Sequence, residues 1–354
     1  MRNPIELLNH LISTPSPSRQ EEETAEMLSY YLHSNGIDAQ RFRNNVWAMS
    51  QNYDPKKSTL LLCAHHDTVK PSPAYTRDPF TPVIEGDHLY GLGSNDDGAS
   101  LVGLIETFLT FNDKDLPFNL LLALAAEEEV TGENGMRALL KHWEGQGIKP
   151  DMGIVGEPTG MNAAIGERGL VVLDCLARAK GGHAAVETRE NALYRAIDDI
   201  NDLRTLRFPA ESPTLGPIKV TVTQIEAGRQ HNVVPEECRF VVDVRTTDVM
   251  TNEETVDFIR DQIFSEATPR STRIRASVIA EEHPLVRAAV KAGAETFVSP
   301  TTSDMCTMPD IPTLKIGIGR SERSHTPDEF VLISEINEGI ERYKQIIENL
   351  AELI

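Results

Sequence analysis

Four short apolar runs, each leading directly into residues that can bind a cation, constrain this chain more than any other feature of its sequence. They are Thr59–Ala64 (TLLLCA), Asn119–Ala126 (NLLLALAA), Met152–Gly156 (MGIVG) and Pro312–Gly319 (PTLKIGIG). Runs of this length without polar alternation suit strands buried on both faces, as in a sheet covered by helices. His65, His66 and Asp67 follow the first run, Glu127, Glu128 and Glu129 the second, and Glu157 the third; His325 lies a few residues beyond the fourth. Open α/β sheets bind ligands outside the carboxyl ends of their strands. Four strands delivering imidazole and carboxylate to one edge predict an α/β fold: a mixed, mostly parallel sheet with helices on both faces and a site along that edge.

Between Gly169 and Ala280 the pattern changes. Gly169–Ala179, Ile218–Ile225, Cys238–Thr246 and Thr272–Ala280 read as strands, and Arg189–Leu206 and Asn252–Glu266 as helices. Thr251 with Glu254 three residues later forms a capping box before the second helix. The order β-α-β-β-α-β is that of a ferredoxin-like α+β module. Helices at Pro284–Glu295 and at about 328–349 then return the chain to the first sheet. The predicted architecture is a discontinuous catalytic domain, residues 1–167 and 281–354, carrying an inserted lid and dimerisation domain, residues 168–280.

Composition narrows the class of ligand. The 354 residues carry a net charge of −20, from 34 basic against 54 acidic side chains. Such a chain gains nothing from counterion release on nucleic acid and is repelled by anionic membranes. A small molecule is the expected partner. Cys63, Cys175, Cys238 and Cys306 are scattered with no C-x-x-C pair, which argues against thiolate zinc or a disulfide framework and fits a reducing cytoplasm. No apolar run reaches membrane-spanning length, and the opening residues show helical spacing without a cleavage-type signal region.

The polar segments supply the chemistry. In His65-x-Asp67, residues two apart on an extended segment face one side. Asp67 can then accept a hydrogen bond from one imidazole nitrogen while the other binds metal, which fixes the tautomer. Asp96 lies in a glycine-rich turn (LYGLGSNDDG) and reads either as a solvated turn carboxylate or as a bridge between two cations. The spacing of Gly91 and Gly93 does not complete a dinucleotide fingerprint. Glu127-Glu128-Glu129 repel one another unless cations neutralise them. One can ligate while its neighbour faces a metal-bound water as general base. With Glu157 and His325, the set His65, Asp96, Glu129, Glu157 and His325 offers nitrogen and oxygen but no sulfur, suiting two zinc, cobalt or manganese ions that share a carboxylate.

The segments AHHDTV, LYGLGSNDDG, AAEEEVTG, VGEPT, GGHAA, HNVVPEECRFVVDVR and SHTPDEF, in this order, resemble those of the acetylornithine deacetylase and succinyl-diaminopimelate desuccinylase family of two-zinc metallohydrolases. Aminoacylases and glutamate-releasing carboxypeptidases are its relatives. The resemblance covers nearly the whole chain. It implies His65, Asp96 and Glu157 on one metal, and Glu129, His325 and Asp96 on the other. It further implies Glu128 as general base, Asp67 as the partner orienting His65, and a cis peptide between Asp96 and Asp97. His183, by itself an ordinary loop histidine, matches a lid residue that reaches the neighbouring subunit's site to stabilise an oxyanion. Asn232 and Arg245 match lid positions that hold a substrate carboxylate. Independently, an arginine ending a strand can offer a bidentate fork to such a group, or form a surface salt bridge. Two departures stand out: Asp97-Gly98-Ala99 lacks the lysine usual after the bridging aspartate, and Glu127 replaces the usual aspartate.

The resemblance implies metal-assisted hydrolysis of an amide in a small N-acyl amino acid, with zinc the foremost cofactor and a homodimer joined through the lid. N-acetylornithine, in arginine biosynthesis, is the leading substrate; acetylcitrulline, acetyllysine and succinylornithine are variants. A metallo-dipeptidase or carboxypeptidase is the nearest alternative. A non-catalytic metal-binding protein would not need Glu128, and a nicotinamide-dependent enzyme would need the missing glycine.

Overall fold

A computed structural model describes residues 3–186 and 190–354. The chain divides into two compact units. The first runs up to Gly166 and resumes over Val278–Ser299 and Ser303–Ile354; the second comprises Glu167–Ser277 with Pro300–Thr302.

In the first unit, four parallel strands lie side by side in the order Asn119–Ala125, Thr59–His65, Met152–Val155 and Thr313–Lys315. Asn45–Met49 pairs antiparallel on one side and Ala163–Glu167 on the other, within a nine-stranded sheet. All residues of Thr59–His65 and Asn119–Ala125 are buried, because alternate side chains enter different cores. Leu60, Leu62, Leu122 and Leu124 pack with residues of the helices Ala99–Phe111 and Ile333–Leu353. Leu61, Cys63, Leu121 and Ala123 pack with Met136, Leu139 and Trp143 of the helix Met136–Glu144. Truncating such a leucine to alanine typically costs about 2–5 kcal/mol. The unpunctuated apolar runs are the sequence trace of this double burial, and the mixed α/β fold stands as expected.

The second unit holds an antiparallel sheet in the order Lys219–Ala227, Glu237–Thr246, Gly169–Arg178 and Glu266–Pro269. Residues of the helices Ala192–Thr205 and Asn252–Arg260 share its apolar core. The expected first helix begins at Arg189, which lies outside the described residues. The fourth strand differs from expectation, since Glu266–Pro269 takes that place rather than Thr272–Ala280. The preceding helix stops at Arg260, and Asp199 accepts hydrogen bonds from the Phe264 and Ser265 amides, turning the chain early.

Two other boundaries shift. The last helix is Ile333–Leu353 rather than 328–349, because Phe330–Leu332 pairs as a strand with His88–Tyr90. The helix from Pro284 ends at Lys291, two residues before Gly293 with its φ of 92°. Among the described residues no helix is long and apolar enough to cross a membrane. Among the described residues, all four cysteines are buried and none forms a disulfide.

Candidate metal centre

The site begins where the Thr59–His65 strand ends. His65 is buried, and its Nδ1 lies 2.9 Å from the backbone carbonyl of Asp67. A carbonyl can only accept, so Nδ1 carries a proton, which leaves Nε2 as the ring atom that can bind a metal. This revises the expected pairing: the Asp67 carboxylate stands 3.5 Å from Nδ1 and is otherwise engaged. It accepts from the amides of Glu128 (3.0 Å) and Glu129 (3.2 Å) and from the Ser18 hydroxyl (2.7 Å). Asp67 thus orients His65 through its main chain and holds the acidic turn through its side chain.

Asp96 faces His65 from an irregular turn. Its carboxylate directs Oδ1 at His65 Nε2 (3.3 Å) and Oδ2 at His325 Nε2 (3.6 Å). The Asp96–Asp97 peptide is cis. Gly93 adopts a φ of 75°, and a Cβ there would fall 2.7 Å from Thr68 Cγ2, so the close approach of this turn to the 65–68 segment requires glycine. At Gly98 a Cβ would meet the Gly93 carbonyl oxygen at 2.4 Å. The backbone therefore closes on the position where a lysine is usual.

Glu128 and Glu129 sit in a tight turn bounded by Glu127 (φ 57°) and Thr131 (φ 46°), both in the left-handed region. His325 itself has a φ of 59°. Such conformations in non-glycine residues gather where surroundings over-determine the backbone, often at functional sites. His325 Nε2 lies 2.9 Å from Glu129 Oε2. Ligand atoms of His65, Asp96 and Glu129 lie within 4.8 Å of one another, as do those of His65, Glu128 and Glu157. All five expected ligands and Glu128 are thus brought into one cluster, although the groupings mix the two expected sets. His325 is the exposed member, with 53% of its side chain accessible against 2% for His65.

Electrostatics test whether cations fit. Burial pushes the carboxyls of Glu128 and Glu157 well above the usual range, and neighbouring carboxylates add to this. Burial likewise raises Asp97 to about 7. Burial alone would raise Asp96, but its hydrogen bond to His65 and that residue's charge outweigh it and hold the carboxyl low. The hydrogen bond to Glu129 raises His325 to about 9. Protons and imidazolium here do the work of cations in neutralising crowded carboxylates, and nitrogen and oxygen donors at this separation suit divalent metal. The Cys63 thiol is pushed up by burial and stays protonated, so it is no competitor.

His183, Asn232 and Arg245 lie in the second unit. Gly182–His183 pairs with Val233–Val234, and the Ala184 amide donates to the Asn232 carbonyl, so His183 and Asn232 are neighbours. Arg245 extends its fork to Asp243, with Nε–Oδ1 at 2.8 Å and Nη2–Oδ2 at 3.2 Å. Sequence reasoning passed over Glu329, whose buried carboxylate accepts from the Asp96 amide, and Asp304, whose carboxylate lies 3.9 Å from Cys63 Sγ. Their only sequence signal was a place in SHTPDEF and at the head of a short turn.

Known proteins resemble this chain in both sequence and fold. The sequence profile of peptidase family M20/M25/M40 matches residues 61–349. A succinyl-diaminopimelate desuccinylase of Wolbachia sp. subsp. Brugia malayi is 24% identical, covering 98% of this chain and 93% of the relative. An acetylornithine deacetylase of Proteus mirabilis is 26% identical, covering 98% and 96%. Among solved structures, the M20 family metallo-carboxypeptidase Sso-CP2 of Sulfolobus solfataricus superposes with a TM-score of 0.74 at 18% identity, covering 99% of this chain and 100% of that one. The aminopeptidase PepT of Bacillus cereus gives 0.76 at 18% identity, covering 98% of each. A dinuclear metal-binding M20 peptidase of Bacillus subtilis gives 0.72 at 16%, covering 99% and 98%. With the profile spanning most of its length, the chain belongs to peptidase family M20/M25/M40 and is a metallohydrolase.

Proposed function

We propose that the chain hydrolyses the amide bond of a small N-acyl amino acid, N-acetylornithine foremost, as a step of arginine biosynthesis in the cytoplasm. N-succinylornithine and N-acetylcitrulline are the nearest variants. The observation that carries this reading is the Asp96 carboxylate, which aims one oxygen at each of two histidines, with the Glu128 carboxylate 4.0 Å from the first of them. Relatives named for removing acetyl and succinyl groups support the substrate class.

His65, Asp96 and Glu157 would hold one divalent cation, and Asp96, Glu129 and His325 the other, with zinc foremost and cobalt or manganese as alternatives. When bound there, the pair supplies Lewis acidity to the acyl carbonyl and lowers the pKa of a nearby water. Glu128, its amide held by the Asp67 carboxylate, takes the proton of the attacking water. It then returns that proton to the leaving amine. Asp67 keeps Glu128 and Glu129 apart in direction by fixing both their amides. His183 stabilises the oxyanion, and Arg245 and Asn232 receive the substrate's carboxylate, Arg245 exchanging Asp243 for it. The second unit joins two chains in a homodimer: its Lys219–Ala227 strand lies at the sheet edge with Ile225 exposed, and such edges are covered by pairing.

The test is a panel of N-acetyl and N-succinyl amino acids and dipeptides, offered to metal-loaded enzyme and scored for released amine. Higher kcat/KM for the acyl amino acids is expected. Higher values for dipeptides would overturn the assignment in favour of a peptidase.

A further inference from the structure

We propose that Glu329 is a positioning residue that sets the span between Asp96 and His325, and so governs affinity for the cation those two share with Glu129. The proposal rests on the metallohydrolase reading above and adds a role that none of the ligand assignments contains.

Glu329 is 2% exposed. Its Oε1 accepts from the amides of Asn95 and Asp96, both at 2.9 Å, and its Oε2 from the amide of Gly93 at 3.2 Å. Its backbone carbonyl accepts from the Gly91 amide at 3.0 Å. Four hydrogen bonds from one residue thus fall on a single turn, the one that carries Asp96. A carboxylate suits this place because its two oxygens have lone pairs for three donors, whose pull only partly offsets the burial and the Asp96 charge that push it up to about 8. A glutamine would turn its NH2 against at least one amide and leave a buried N–H without an acceptor.

The same residue lies four positions after His325. Between them the chain is tightly bent, with left-handed φ values at His325 and Asp328. Asp328 pins the loop's other side by accepting from the Thr76 and Arg77 amides, at 2.9 and 3.0 Å. The loop bearing one histidine is therefore locked to the turn bearing the shared carboxylate, across the 3.6 Å gap between Asp96 Oδ2 and His325 Nε2. His65 and Glu157 hang from the ends of sheet strands and receive no bond from Glu329. Loss of the clamp should weaken the exposed cation position, which depends on it through both Asp96 and His325, more than the buried one, which depends on it through Asp96 alone. Asp87 provides the control, since its carboxylate accepts from the Ser334 amide at 3.0 Å and holds a segment that carries no ligand.

The experiment uses the full chain, stripped by chelator and titrated with Co2+ alone, followed by calorimetry and visible absorption. The wild-type chain should take up two equivalents. Glu329→Gln and Glu329→Ala should bind one roughly 10–100-fold more weakly, the usual scale for residues that orient metal ligands, and the other with a smaller loss. Asp87→Asn should bind both normally. Should Glu329→Ala fail to fold, the near-isosteric glutamine variant carries the test. Binding of both equivalents at wild-type affinity in Glu329→Gln overturns the proposal. So does equal weakening of both equivalents, or an equal loss in Asp87→Asn. A wild-type chain that takes up no Co2+ overturns the metallohydrolase reading itself, and the proposal with it.

Discussion

Asp67 offers the sharpest test of how the acidic turn is held. Its fully buried carboxylate receives three donors: the Glu128 amide on Oδ1, and the Glu129 amide and Ser18 hydroxyl on Oδ2. In Asp67→Asn one oxygen becomes an NH2. If that group replaces Oδ1, it confronts the Glu128 amide. If it replaces Oδ2, it confronts the Glu129 amide, while Ser18 can rotate to accept. Either way one backbone N–H is stranded, at a cost of about 1–3 kcal/mol, and the remaining bonds fall from charge-assisted to neutral strength, about 1 kcal/mol each. The metal-free variant should thus lose ~2–5 kcal/mol of unfolding free energy in urea, within the ~5–15 kcal/mol a folded domain commonly has. Loosening the turn also moves Glu128, and displacements near 1 Å can cost about 100-fold in rate. With saturating metal, kcat should drop by that order. If unfolding free energy stays within about 0.5 kcal/mol and kcat is unchanged, the clamp is idle and the reasoning fails.

Glu128→Gln should retain both metals and lose ~10²–10⁴-fold in turnover, whereas Glu129→Gln should lose a cation; the converse pattern in metal analysis would exchange their roles. Arg245→Ala should raise KM for substrates with a free α-carboxylate and hardly affect their esters, so equal losses would leave Arg245 as the partner of Asp243 only. Chains carrying His183→Ala and Glu128→Gln, mixed after subunit exchange, should recover about a quarter of wild-type activity, because half the dimers then hold one intact site of two. No recovery would confine His183 to its own subunit. Cobalt binding near pH 7 should release protons and tighten as pH rises toward about 9, since His325 must surrender the proton that Glu129 holds on it. A heat of binding independent of the buffer's ionisation enthalpy would contradict that pairing.

The ligand-bearing strands were legible because double burial removes polar alternation, and a run such as TLLLCA has no other comfortable place. The fourth strand of the second unit was not. DQIFSEATP continues a helical pattern, and only the distant Asp199, which collects the Phe264 and Ser265 amides, stops it. The same limit applied at Asp67. Spacing placed it beside His65, but which of its oxygens the imidazole meets depends on the 128–129 turn, which no local rule supplies. Glu329 was one acidic residue among many in a polar loop until the fold set it against three amides.

The position of the Thr313–Lys315 strand also bears on how the chain is made. It lies between Met152–Val155 and Ala163–Glu167, strands that are close together in sequence. A ribosome releasing this protein exposes both early, and the gap between them stays open until more than a hundred further residues have been added. The 167–277 stretch, being continuous, can meanwhile complete its own sheet. His325 follows the closing strand by ten positions, so the segment that completes the sheet brings the last imidazole with it. Hydrolytic competence is therefore acquired only after this segment has emerged. A nascent or truncated chain should present an unfinished sheet edge to chaperones rather than a partly active enzyme.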